Sequence, residues 1–180
     1  MEDRDLPRGV ATVSGPVTVH FDGACEPPRG GGIATFGFHL EGGGFLHEDR
    51  GLAVAPKSPH STNNVAEYSG AIHALAWLAA HGYAGPVRLF GDSQLVIRQM
   101  KGEYEVRAEH LKAYHHHLSQ LAARFERVEY EWVPRESNAR ADALSKQALR
   151  EAMADLGRRE VGRRTKEVSN DSSQDESQDP

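Results

Sequence analysis

A chain of 180 residues with 38% hydrophobic residues is long enough for one buried core, and it has no apolar run near the roughly 20 residues that span a bilayer, so no membrane association is expected. The net charge of −5, of which −3 falls on residues 16–156, excludes a globally basic nucleic-acid binder. Affinity for a polyanion must come from locally placed Arg and Lys and from bound cations. Cys25 is the single cysteine, which excludes an intramolecular disulfide and a cysteine zinc cluster and favours a reducing compartment, the cytoplasm.

Residues 1–15 read as a flexible leader with no apolar stretch of the secretory kind. Val17, Val19 and Phe21 then alternate with Thr18, His20 and Asp22, which predicts a strand ending at Asp22. Gly30, Gly31 and Gly32 make a turn into a second strand, Ile33 to Leu40. Gly42, Gly43 and Gly44 make another, into a third strand from Phe45 to about Val54; this is an antiparallel meander. From Asn64 to Ala80 the apolar spacing becomes helical, through Val65, Tyr68, Ile72, Ala76 and Ala79, and Gly82 ends the run. A short strand over Val87 to Phe90 is followed by helices at about Ser93 to Met100 and Ala108 to Arg124. A fifth strand covers Val128 to Val133, and a last helix runs from Asn138 to about Leu156. The order βββαβααβα predicts a mixed α/β sheet flanked by helices, within residues 16–156.

Residues 157–180 read as a basic, then acidic, disordered tail: Arg158, Arg159, Arg163, Arg164 and Lys166 precede SNDSSQDESQDP, which has no apolar residue. For the basic run an ordinary solvated tail is preferred over a binding arm. His115, His116 and His117 are consecutive on a helix, so they point around it and do not converge on a metal. Packing in the core is the expectation for Tyr68 and Trp132.

Four acids stand at element ends: Asp22, Glu67, Asp92 and Asp142. Strand ends and helix starts gather at one edge of an open α/β sheet, where ligands bind. Carboxylates converging there repel one another unless a divalent cation neutralises them. Each also has a structural reading. Glu67 stands three residues after Asn64 in a capping-box arrangement, Asp92 is placed to cap a helix, Asp142 suits a helix's first turn, and Asp22 could close a turn with Gly23.

The segments FDGACEPPRGGG, HSTNNVAEYSGAIHAL, FGDSQLVIRQM and WVPRESNARADALSKQA, in this order and spacing, resemble the signature segments of type 1 ribonucleases H across about residues 16–150. The resemblance implies a five-stranded mixed sheet with its first three strands antiparallel. It implies hydrolysis of the RNA strand of RNA–DNA hybrids, leaving 5′-phosphate and 3′-hydroxyl ends, with two Mg²⁺ ions or Mn²⁺. It makes Asp22, Glu67, Asp92 and Asp142 the catalytic metal ligands. Thr62 would hold a DNA-strand phosphate, and Asn63 and Asn64 would face the minor groove. Amides suit that place because RNA is told from DNA by its 2′-hydroxyls. Gln94 and Asn138 also match positions near the groove; for Asn138 a cap on the last helix is the equal reading. No obligate protein partner is evident.

Three departures from the family pattern stand out. The loop before Asp142 lacks the histidine found in many members, and Arg135 and Glu136 are the candidates to stand in for it. Glu26-Pro27-Pro28-Arg29-Gly30 replaces the usual Asn-Pro-Gly, which makes Arg29 a candidate phosphate contact or a solvated turn residue. The segment from Met100 to Arg107 is too short and too acidic to be the basic insertion that grips DNA in some members, so weaker substrate binding is expected. The alternatives are a nuclease of the same fold with added preference for double-stranded RNA or junctions, and a silent hybrid-binding module.

Overall fold

The computed structural model describes residues 15–28 and 30–171. Five strands form one sheet in the order β3-β2-β1-β4-β5. They are β1 (Val17–Glu26), β2 (Ile33–Gly42), β3 (Phe45–Leu52), β4 (Val87–Gly91) and β5 (Val128–Trp132). β1, β2 and β3 pair antiparallel, while β4 runs parallel to both β1 and β5. This is the mixed sheet anticipated from the meander and the alternating elements behind it.

The helices are α1 (Asn63–Ala80), α2 (Gln94–Met100), α3 (Glu109–Ala122) and α4 (Ala139–Asp171), with a 3-10 turn over Arg135–Asn138 leading into α4. α1 lies between the sheet and α3. That position explains its apolar composition on nearly every side, with Val65, Tyr68, Ile72, Leu75 and Leu78 all buried in the main core. Leu111, Leu118 and Leu121 of α3 close the same core from outside.

α4 covers the opposite face of the sheet. Two bare glycines let the helices press close. A Cβ on Gly23 would lie 2.3 Å from the backbone nitrogen of Glu67 in α1, and one on Gly37 would lie 2.5 Å from that of Ser145 in α4. β1 and β2 are therefore gripped from both faces beside Asp22, whose register partner is Gly37.

Two sequence expectations are corrected. β1 does not end at Asp22: its ladder continues through Gly23, Ala24, Cys25 and Glu26 opposite Phe36 to Ile33. Asp22 keeps the polar side of the alternation and is buried against Ser145 of α4, inside the strand. The last helix does not end near Leu156 but runs to Asp171. Acid–base pairs at helical spacing support the continuation, Asp155 with Arg158 and with Arg159, and Lys57 ties Glu160 to the body at 3.1 Å. The leader up to residue 14, Arg29 and the acidic residues 172–180 lie outside the described residues.

Candidate active site

Strand register sets the first two carboxylates side by side. The last pair in the β1–β4 ladder is Phe21 with Gly91, and the next residue on each strand is Asp22 and Asp92. Gly91 is bare where the Phe21 ring packs, since a Cβ there would lie 2.6 Å from it. α1 brings the third acid. Its N-cap is Thr62, whose hydroxyl accepts the Val65 N–H at 3.3 Å, and the first turns carry Glu67 over Gly23. Asp22, Glu67 and Asp92 each offer a carboxylate oxygen within 4.8 Å of the others.

Burial and mutual repulsion act on all three. Burial foremost, then the charges of Asp92 and Asp142, pushes the Asp22 carboxyl up to about 7, against a lowering bond from Ser145. Glu67 is pushed well above the usual carboxylate range, by burial and then by Asp22 and Asp92. Asp92 is raised mainly by burial, although Arg135 opposes the shift. The Ser145 hydroxyl donates to Asp22 Oδ2 at 2.6 Å, and Asn63 Nδ2 donates to Glu67 Oε1 at 3.5 Å. Glu67 Oε2 is buried and has no hydrogen-bond partner. An orphaned carboxylate oxygen amid like charges and oxygen-only donors fits a hard divalent cation.

Asp142 is close enough to raise its neighbours but stands outside the trio. Arg135 donates to its Oδ1 through Nη2 at 2.7 Å and Nε at 3.1 Å, and Lys146 Nζ donates to Oδ2 at 2.7 Å. Burial pushes its carboxyl up, but these two cations outweigh that and hold it below the usual range. Of the four acids, Asp142 alone keeps its structural reading, in the first turn of α4. Glu67 is not part of a capping box, because Thr62 caps the helix. Ser93, not Asp92, caps α2 by accepting the Val96 N–H at 3.4 Å.

The trio lines an open cleft of about 400 Å³ together with Asn63, Ser93, Trp132 and Arg135. Asn64 is half-buried and Gln94 exposed, and neither lines the cleft. Asn138 is only 1% exposed, and its Nδ2 donates to the Phe21 carbonyl at 2.9 Å, tying the 3-10 turn to β1. Trp132 corrects its reading as a core residue. It is 46% exposed at the cleft, at the end of the edge strand β5, with Nε1 donating to the Asp92 carbonyl at 3.1 Å. Tyr68 is buried as expected, donating to Gln99 Oε1 at 2.8 Å. Ser145 and Lys146 were not singled out from the sequence, and Gly23 was read only as a turn residue beside Asp22. Ser145 and Lys146 follow Asp142 by three and four residues on one helix, a spacing that signals proximity but not which strand lies beneath.

A mixed five-stranded sheet with acids delivered by β1, α1 and the end of β4 defines a ribonuclease H-like fold. The family model described as reverse transcriptase-like matches residues 42–148. Ribonuclease HI of Halobacterium salinarum is 36% identical over 140 residues, covering 77% of this chain and 66% of that protein. A bifunctional protein of Mycobacterium tuberculosis is 40% identical over 89 residues, covering 49% of this chain; the match spans only 24% of that longer relative. The solved N-terminal RNase H domain of the same mycobacterial protein superposes with a TM-score of 0.68 at 31% identity, over 79% of this chain and 99% of the domain. LC11-RNase H1, solved in complex with an RNA/DNA hybrid, gives 0.66 at 29% identity over 76% of this chain and 99% of its own. The chain belongs to the type 1 ribonuclease H family.

Proposed function

We propose that this chain cuts the RNA strand of RNA–DNA hybrids endonucleolytically, leaving 5′-phosphate and 3′-hydroxyl ends. The observation that carries this reading is the trio of buried Asp22 and Glu67 with half-buried Asp92, opening on a cleft in which Asn63 bonds Glu67. The hybrid bound by LC11-RNase H1 supports the choice of substrate.

Asp22, Glu67 and Asp92, joined by Asp142 once Arg135 and Lys146 release it, are the residues that would hold two Mg²⁺ ions, or Mn²⁺, with substrate. Such ions supply Lewis-acid activation of water and stabilisation of the leaving oxygen. The chain's own residues do the rest. Ser145 and the bond from the Asn138 side-chain amide to the Phe21 carbonyl of β1 fix Asp22 and its strand. Asn63, exposed at the cleft, offers an amide that donates to and accepts from 2′-hydroxyls, with Asn64 and Gln94 as further contacts on the flanking helix starts. Thr62 and the N-terminus of α1 present donors to a DNA-strand phosphate. Arg135, whose guanidinium rests on Asp142 at the cleft, is the cation for the scissile or product phosphate, in the place of the absent loop histidine. The reducing compartment suggested by the single cysteine makes the cytoplasm its place of work.

The test is cleavage of a strand-labelled hybrid in Mg²⁺, Mn²⁺ or EDTA, beside matched duplex DNA, duplex RNA and single strands. Metal-dependent cutting of the hybrid's RNA strand alone is the expected result. Hybrid binding without cutting would replace this reading with a silent binding module, and cutting of duplex RNA would widen the substrate class.

A further inference from the structure

Two hydroxyls are buried where α4 meets the sheet. Thr35 of β2 and Ser145 of α4 are both 0% exposed. The Thr35 hydroxyl donates to the Ser145 carbonyl at 2.9 Å, with the Ala24 carbonyl of β1 a longer second acceptor at 3.4 Å. The Ser145 hydroxyl in turn donates to Asp22 Oδ2 at 2.6 Å. We propose that Thr35 and Ser145 form a buried relay that positions Asp22 for its cation, in which Thr35 acts only through Ser145; the proposal rests on Asp22, Glu67 and Asp92 holding that cation.

The relay is built into the seat of α4. Thr35 and Gly37 are two apart on β2 and so share the face beneath the helix, opposite Ala24 and Asp22 of β1. At Gly37 the helix is stopped by contact: a Cβ there would lie 2.5 Å from the Ser145 nitrogen and 2.6 Å from the Leu144 Cβ. Contact of this kind sets how near α4 comes but leaves it free to slide and turn. The Thr35 bond removes that freedom, because a hydroxyl bond is directional. It grips the carbonyl of Ser145 itself, the residue whose hydroxyl reaches Asp22. Asp142, three residues earlier, rides on the same turn, its carbonyl 3.0 Å from that hydroxyl.

The chemistry suits the support of a metal ligand. Valine has the shape of threonine, so an apolar side chain would fill the place of Thr35, and a buried hydroxyl is costly unless it is bonded. The bond from Ser145 fills one of about four lone-pair positions on the Asp22 carboxylate and leaves the others for a cation. A side chain already held in one rotamer loses no further freedom when the ion arrives. Asp22 is held there despite the negative charges of Asp92 and Asp142 beside it. The Asn138 amide cannot replace the relay, since it bonds the Phe21 carbonyl and not the carboxylate. Hydrogen-bond partners of metal ligands typically carry about 10- to 100-fold in metal affinity.

The experiment compares the full chain with Ser145→Ala, Thr35→Val, Thr35→Ser and the double variant T35V/S145A. Mn²⁺ affinity is measured without hybrid, by electron paramagnetic resonance of the free ion. Tm is measured in EDTA, and kcat and KM are measured on the hybrid at one sub-saturating Mn²⁺ concentration. Ser145→Ala should weaken Mn²⁺ binding about ten-fold or more and lower kcat with it, while KM for the hybrid stays as in the parent. Thr35→Val should lose several-fold in Mn²⁺ affinity, and Thr35→Ser, which keeps the hydroxyl, should recover it. Because Thr35 acts through Ser145, the double variant should bind Mn²⁺ no more weakly than Ser145→Ala alone. A lowered Tm with unchanged Mn²⁺ affinity in Ser145→Ala or Thr35→Val would overturn the proposal, leaving the hydroxyls a purely structural part. So would a Thr35→Val loss that adds in full to that of Ser145→Ala. A parent that binds no Mn²⁺ would refute the cation-holding trio, and the relay with it. A parent that binds Mn²⁺ but cuts no hybrid would refute the assigned activity alone, since Mn²⁺ affinity still decides the relay.

Discussion

Replacing Asp22 with Asn should stop cleavage and at the same time stabilise the metal-free protein. Buried against Ser145 and facing Asp92 and Asp142, the Asp22 carboxyl titrates at about 7 rather than 3.8. A carboxyl raised in this way favours the fold only while protonated, so stability is lost as pH rises from 3.8 and the loss is complete above about 7. At 1.36 kcal/mol per pH unit the full loss is about 4 kcal/mol at pH 8. The amide of Asn escapes it, and the bond from Ser145 opposes the rise and is already included in it. The gain is about 4 kcal/mol, or about 8–16 °C in Tm for a chain of this size. Urea or thermal unfolding of both proteins in EDTA at pH 8 and pH 5.5 measures it, and the variant's advantage should shrink by about 2 kcal/mol at the lower pH. His20, His39 and His73, each held below 6.5 chiefly by burial, destabilise both proteins alike as pH falls, so the comparison is made between proteins at each pH. Saturating Mg²⁺ should reverse the ranking, because it stabilises only a protein that binds it. An Asn variant no more stable than the parent at pH 8 in EDTA would refute the reasoning, for Asp22 would then not be held against its own charge.

Gly23→Ala sets a methyl 2.3 Å from the Glu67 nitrogen and 2.5 Å from the Ala66 carbonyl carbon, so α1 must retreat. Overpacking of this kind costs about 1–3 kcal/mol, and the shifted Glu67 should lower kcat about a hundred-fold; a normal kcat would show that α1 need not sit so close. Arg135→Ala removes the two-pronged bond to Asp142 and the cleft's cation. Cleavage should fall about ten-fold, mostly through KM, with partial recovery in Arg135→Lys; an unchanged KM would remove Arg135 from phosphate binding. Trp132 stands exposed at the cleft, whereas Trp77 is stacked between His47 and His81. Hybrid binding should therefore change tryptophan emission in the parent and not in Trp132→Phe, and a response surviving that substitution would mean the hybrid lies elsewhere.

Element types and their order were legible because each segment's apolar period was clear, and the acids were legible because Asp92 follows a strand, Glu67 and Asp142 fall near helix starts, and Asp22, although inside β1, closes its visible alternation. The hydrogen-bond partners of each acid were not. Three share a cluster while Asp142 is held aside by Arg135 and Lys146, a distinction that depends on which side chains meet across α4 and the 3-10 turn. Ser145 was hidden for the same reason, since nothing local says that α4 crosses β1 and β2 at Gly37. Asn138 read equally as a groove contact and as a cap on the last helix, and its bond to a strand carbonyl in the interior was hidden because that strand is distant in sequence. The end of α4 was misread because a charged, apolar-poor composition looks like disorder, although acids and bases three and four apart also support a helix.

β3 and β5, at the two margins of the sheet, decide how the molecule behaves in a crowd. An unguarded margin is a template onto which another chain can add a strand, the first step of fibrillar growth. Here β3 presents Glu48, Asp49 and Arg50, with Glu48 and Arg50 tied to α4, and β5 presents Glu129 and Glu131, tied to Arg88 and Arg127. An incoming strand must strip those paired charges and bury them, which opposes its addition on either side. The same charges that fasten the last helix and the last strand thus keep the sheet at five strands.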